Sequence, residues 1–186
     1  MTEAVDHPDT GERSVETQFY AVQPNRWTFE SDKIREWTEN RLRGRVLNAC
    51  CGPTRLRHDG EVVRNDLCEG IDADYHVDAR NLSDEFSAEF DCVVFDPPFS
   101  TYQATTTYNG ETTGYDTAMK REIHAVLRGA GRVIQFGYTT TAMPRKLGYD
   151  KMDAAIFQTL GRQNDILGTV DQRINESVTG WGGDGS

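Results

Sequence analysis

The first helical pattern in the chain is an apolar stripe at Ile34, Trp37 and Leu42. Ser31 stands where an N-cap belongs, so the spacing predicts a helix over about 32–43, stopped by Gly44. Short apolar runs follow. Residues 45–50 (RVLNAC) read as a buried strand running into the turn Cys51-Gly52-Pro53. Residues 61–66 (EVVRND) and 75–78 (YHVD) read as a second and a third strand, each ending on an acid. Residues 90–95 (FDCVVF) read as a fourth, stopped by Asp96-Pro97-Pro98. The polar stretch 100–116 reads as a long loop, and 116–128 as a helix with Ala118, Ile123, Val126 and Leu127 on one side. Gly129 and Gly131 end that helix, and 132–137 (RVIQFG) is a fifth strand. Residues 155–160 and 166–170 flank a polar turn and predict a terminal hairpin. Short strands with helical or loop crossovers, then a hairpin, predict an α/β fold with an open, mostly parallel sheet.

At 186 residues the chain fits one domain, large enough to bury a core without disulfides. Residues 1–16 read as a polar, acidic arm and 177–186 as a Gly-rich tail, leaving 17–176 as a single domain. No apolar run approaches the roughly 20 residues of a membrane span. The first six residues carry neither a basic start nor an apolar stretch, so no secretory signal is expected. The cysteines Cys50, Cys51, Cys68 and Cys92 form no C-x-x-C pair, and no metal site is expected. Reduced thiols in a cytoplasm are the expectation.

Charge changes the picture less than its size suggests. Thirty acids face twenty bases, a net charge of -10, and only four of those bases are lysines. Acid excess with few lysines suits a salt-loaded cytoplasm, haloarchaeal or haloviral. An acidic chain ordinarily argues against a nucleic-acid partner. In molar salt, however, the Debye length is about 3 Å, and long-range phosphate attraction counts for little.

Ligands of open α/β sheets bind outside the carboxyl ends of the strands. Read at those ends, the chain offers a glycine turn (48–53) and then Asp66, Asp78 and Asp96 in order. The last is the most specific: Val93-Val94-Phe95-Asp96-Pro97-Pro98-Phe99. The prolines fix φ and remove N–H donors, leaving a rigid tip rich in carbonyls.

This motif resembles the catalytic signature of class I S-adenosylmethionine-dependent methyltransferases that act on exocyclic amines, the DPPF/NPPY type of adenine-N6 DNA methyltransferases. The resemblance spans about residues 45–137. It implies a Rossmann-like sheet, S-adenosylmethionine as cofactor, and Asp96, Pro97, Pro98 and Phe99 as catalytic residues. A base amine is a poor nucleophile, because its lone pair is delocalised. The resemblance implies that Asp96 and the Pro97 carbonyl accept its two N–H bonds and turn the lone pair outward, and that Phe99 stacks on a base extruded from its helix. Asn48, Ala49, Cys50 and Gly52 then match the turn that approaches the methionine end of the cofactor. Asp66 matches the acid that binds the ribose hydroxyls, and Asp78 with Ala79 the position that reads the adenine. Two departures stand out: Asn48 replaces the usual acid of the glycine turn, and its last glycine is missing.

The implied partner is nucleic acid, DNA ahead of RNA, with no membrane. No separate recognition domain fits in the chain. Recognition falls to the 100–116 loop (Tyr102, Tyr108, Tyr115), the 138–150 segment with Arg145 and Lys146, the N-terminal arm, or a second subunit, including a homodimer mate. The aromatic segment 19–29 (Tyr20, Trp27, Phe29) reads as core packing, with a lid over the cofactor as the alternative. A non-catalytic binding or assembly subunit is the reading from another class.

Overall fold

The computed structural model describes residues 15–98, 117–140, 142–161 and 164–174. The predicted 100–116 loop, Phe99, most of the arm and the 177–186 tail lie outside them. Seven strands form one sheet: β1 (Thr17–Val22), β2 (Val46–Asn48), β3 (Val62–Arg64), β4 (Phe90–Phe95), β5 (Leu127–Gly137), β6 (Tyr149–Thr159) and β7 (Ile166–Arg173). Their order across the sheet is β1-β6-β7-β5-β4-β2-β3. β7 runs against both neighbours, and every other pairing is parallel. The carboxyl ends of the other six strands therefore share one rim.

Helices α1 (Asp32–Glu39) and α2 (Thr117–Val126) pack on opposite faces. Under α1, Ile34 and Trp37 meet Val46, Cys92, Val94, Ile134 and Phe136. Under α2, Met119, Ile123 and Val126 meet Leu47, Val93, Phe95 and Val133. Alternate residues of β2, β4 and β5 thus serve the two faces, as a period of two requires. Trp37 packs edge-on to Phe136 and Phe157, at 5.9 and 5.7 Å between ring centroids. Gly168 lies beneath these rings. A Cβ there would stand 3.0–3.1 Å from Trp37, Phe136 and Phe157, so the aromatic cluster demands glycine.

Several predicted elements shift. The first helix ends at Glu39 rather than about 43, and Ser31 occupies the N-cap without a side-chain bond. The second helix ends at Val126, and β5 begins at Leu127, upstream of both glycines. The hairpin strands run longer than predicted. The predicted third strand, 75–78, is reduced to a single bridge between Asn65 and Tyr75. The Asn65 side chain replaces the missing ladder: its Nδ2 donates to Ala49 O (3.0 Å) and Val77 O (2.9 Å), and its Oδ1 accepts from Val77 N–H (2.9 Å). β1 was not predicted as a strand. Its burial alternates between exposed and half-buried positions, and Phe19 is 73% exposed, so its sequence carries no core-strand run. Among the described residues, no helix is long and apolar enough to cross a membrane.

Candidate active site

β2 pairs with β3 on one side and β4 on the other, so the chain changes direction across the sheet at β2. A crevice opens at such a switch point, outside the strand ends. Here it is a cleft whose lining includes Ala49, Cys50, Asp66, Asp78, Ala79 and Pro97. Pro98, Leu67, Val77 and Met119 complete it. A second pocket adjoins it through Cys50 and carries Asp96, Gly52, Trp27 and Thr28. Ten of the eleven predicted site residues are described; Phe99 is not. Nine of those ten line one or other cavity, and Asn48 lies buried beneath them at the end of β2.

The three acids converge on Cys50. Burial, and then the charges of Asp66, Asp96 and Asp78, hold its thiol well above the usual range. This thiol is a poor nucleophile, because the thiolate is the reactive form. Gly52 makes the turn with φ +54°, which favours glycine. A Cβ would lie 3.5 Å from the Trp27 ring, an ordinary contact. Gly52→Ala is therefore expected to cost about 1 kcal/mol through backbone strain rather than a clash. Thermal unfolding checks this: an unchanged midpoint would contradict it.

Asp66 is 1% exposed. Its Oδ2 accepts from Gly52 N–H (2.9 Å) and its Oδ1 from Cys68 N–H (3.0 Å). It therefore braces the glycine turn, and each oxygen has acceptor capacity left. Asp78 is held by Arg80, whose Nη2 donates at 2.5 Å and whose backbone N–H donates at 2.9 Å. Hydrogen bonding to Arg80 holds its carboxyl below the usual range.

Asp96 differs from both. Burial pushes its carboxyl up to about 7; hydrogen bonding from Thr28 opposes the rise, and the Asp66 charge adds to it. Its Oδ1 is shielded from water and has no partner. Asn48 Oδ1, from the neighbouring strand, is likewise buried without a partner. Pro97 and Pro98 have no N–H to give. The β2 and β4 tips thus present acceptors, and a ligand that satisfies them must bring N–H or O–H donors.

Three contributors were missing from the sequence reading. Thr28 walls the Asp96 pocket beside Trp27, for which a lid is the alternative to core packing, and Met119 reaches the larger cleft from α2. Arg64, 3% exposed, donates from Nη2 to Gly52 O at 2.7 Å and pins the turn from below. Trp27 and Thr28 belong to the aromatic segment read as core packing. Phe29 does pack in the core, and with its two predecessors it also lines the pocket.

No family model and no curated protein sequence matches this chain. Solved structures match it by shape. TrmN from Thermus thermophilus gives a TM-score of 0.55 at 18% identity, over 77% of this chain and 49% of that one. The chain thus spans about half the length of TrmN. The fold is a Rossmann-like methyltransferase sheet. A Burkholderia thailandensis 1,6-didemethyltoxoflavin-N1-methyltransferase, solved with S-adenosylhomocysteine, gives 0.50 at 15% identity, over 74% of each chain. The [4+2]-cyclase SpnF gives 0.58 at 13% identity, over 84% of this chain and 88% of that one. A cyclase on this sheet shows that the reaction must be argued from the site.

Proposed function

We propose that this protein is an S-adenosylmethionine-dependent methyltransferase acting on an exocyclic amino group of a nucleic-acid base, adenine N6 in DNA before an RNA base. The unpartnered, buried Oδ1 of Asp96, beside two prolines at the end of β4, carries this reading. It is an acceptor waiting for a donor, and an amine is a donor.

The cleft beside it fits the cofactor's chemistry. Asp66 has acceptor capacity for a vicinal diol, and Leu67, 47% exposed, offers apolar surface at the rim. Ala79 and Asp78 would flank the adenine, and the turn at Asn48, Ala49, Cys50 and Gly52 would face the methionine end. When bound, S-adenosylmethionine would supply a methyl group on a positively charged sulfur. Asp96 would accept one N–H of the amine and Pro97 O the other, holding the nitrogen lone pair toward that methyl. Asp96 would stabilise the positive charge that the nitrogen gains on accepting that methyl and would take the proton the nitrogen sheds, since its raised pKa makes it a stronger base than an ordinary aspartate. Phe99 is the proposed stacking partner of the base.

The site is therefore expected to lose activity in acid. Below about pH 7 Asp96 is protonated and can no longer take the proton of the amine, so log(kcat/KM) should fall with unit slope. A limb near pH 4 instead would show that Asp96 is not the group.

A binding or assembly subunit is the second reading. It is favoured by Asp66, both of whose oxygens already serve backbone N–H groups. Calorimetry with S-adenosylhomocysteine in high salt separates the two, and absence of binding would sink the enzyme. Labelled methyl transfer to unmethylated DNA and to RNA, followed by nucleoside mass spectrometry, identifies the base. Retained transfer with no N6-methyladenine would move the target off adenine.

A further inference from the structure

The cavities of the carboxyl rim follow the order of the sheet. The larger cleft lies at the β2–β3 end, with Asp66 and Asp78, and the Asp96 pocket lies at the tip of β4. A third pocket lies further along, where β1, β5 and β6 end and β7 begins. Val22, Tyr138, Thr159 and Ile166 mark those four points. Trp27 and Thr28 line both this pocket and the Asp96 pocket, so the two meet across the 27–28 turn. The third pocket is thus on the side of Asp96 away from the larger cleft. A ligand there belongs to the substrate and not to the cofactor.

Two independent features of this pocket point to a ligand. The first is Ser31, which lies on its wall and is only 8% exposed. Ser31 stands at the N-cap of α1, yet its hydroxyl makes no capping bond and has no hydrogen-bond partner among the described residues. A buried hydroxyl left unbonded is costly, and a polar ligand would remove the cost. The second feature is charge. Thirty acids face twenty bases in the chain, and the larger cleft and the Asp96 pocket both carry carboxylates. The described lining of the third pocket holds no acid and one arginine, Arg26. Its guanidinium lies over the Trp27 ring, 5.3 Å from the centroid, and makes no ion pair among the described residues. The nearby acids are engaged elsewhere: Glu30 accepts from Trp27 N–H, and Asp32 pairs with Arg35.

We propose that this pocket is a subsite for the nucleotide next to the target base in a single strand. Ser31 bonds the edge of that neighbouring base, and Arg26, backed by the Trp27 ring, meets the phosphate between the two nucleotides. A planar guanidinium with free donors matches a phosphate, and a hydroxyl matches a base edge. A serine hydroxyl both donates and accepts, so the subsite requires a base and discriminates little among bases. That the Asp96 pocket takes the target base rests on the methyltransferase reading; the orphan hydroxyl and the acid-free lining do not.

The test is fluorescence anisotropy of a labelled single-stranded DNA pentamer, a central adenine flanked by thymines, with the full chain. Ser31→Ala and Arg26→Gln should each weaken binding by about fivefold or more, and neither should change S-adenosylhomocysteine affinity. Abasic sites in place of the thymines should abolish the effect of Ser31→Ala and keep that of Arg26→Gln. Only the arginine effect should fade as salt is added. The RNA pentamer, run in parallel, decides which sugar the subsite accepts. Wild-type affinity in both variants overturns the proposal, and so does a wild type that binds neither pentamer. Thermal unfolding of Ser31→Ala is a separate check. Its midpoint should equal or exceed that of wild type, since no cap bond is lost; a clear fall would make Ser31 a helix cap and overturn its role here. If both variants weaken the pentamer while wild type binds no S-adenosylhomocysteine, the subsite stands and the methyltransferase reading falls.

Discussion

Asp96→Asn is expected to lower methyl transfer by about 10³-fold and to make the protein more stable at pH 8. The two effects have one cause. Burial penalises the charged carboxylate, so its pKa rises from 3.8 to about 7 on folding. Between those values the folded state binds a proton that the unfolded state has lost. Stability therefore falls as pH rises from about 4 to about 7, and the full loss is present above 7. A tenfold change in proton affinity is worth about 1.4 kcal/mol, so a rise of about three pH units makes the loss on the order of 4 kcal/mol. Asparagine has almost the same shape and carries no charge. Its variant should unfold at a higher temperature than wild type at pH 8, and the gap should close at pH 4. S-Adenosylhomocysteine affinity should hold, since Asp96 lies in the second pocket rather than on the larger cleft's lining. A variant that loses stability at pH 8 would show that Asp96 is structural; one that keeps its activity would refute its place in the chemistry. A site that sacrifices stability to keep a charged acceptor away from water is a common mark of function.

The chain announced its central strands and the β3 edge, and missed the β1 edge. β4 coincides with the predicted run 90–95, because a strand buried on both faces is a continuous apolar stretch. β1 escaped notice because it lies at the sheet edge with Phe19 exposed, and its identity depends on pairing with β6, far along the chain. The same separation hid Thr28 and favoured core packing over a lid for Trp27, since it is the parallel pairing of β1 that brings both to the rim. The acids were legible because each ends an apolar run, and strand ends are where α/β sheets place ligands. The bracing role of Asp66 was not, because it needs the N–H groups of Gly52 and Cys68 brought together by the fold. The acid excess of the whole chain had no part in locating the site. Asp66, Asp78 and Asp96 stand out by position at strand ends, not by charge.

Asn65→Leu is expected to cost roughly 3 kcal/mol and to weaken S-adenosylhomocysteine binding by about tenfold or more. Asn65 is fully buried, and its amide makes three bonds to the main chain, at Ala49 O, Val77 O and Val77 N–H. Each such bond contributes about 1 kcal/mol, and each backbone group left unpaired in the interior adds to the cost. Leucine is close in volume, so the loss reports the bonds rather than a cavity. The cleft suffers because these bonds join its two walls. Ala49 belongs to the glycine turn, and Val77 leads into Asp78 and Ala79. Backbone bonds tie Tyr75 to Arg64 and Asp66, and the His76 ring meets Asp66 O, but the Asn65 amide is what ties Val77 to Ala49. Asn65→Asp discriminates further. A carboxylate keeps the bond from Val77 N–H but sets acceptor against acceptor at Ala49 O and Val77 O, so it should be at least as damaging as leucine at pH 8. It should recover in part in acid, where a protonated carboxyl can donate once. Denaturant unfolding at both pH values, with S-adenosylhomocysteine calorimetry beside it, checks the pair. An aspartate variant as stable as wild type at pH 8 would mean that the amide does not hold the walls together, and that the width of the cleft is set elsewhere.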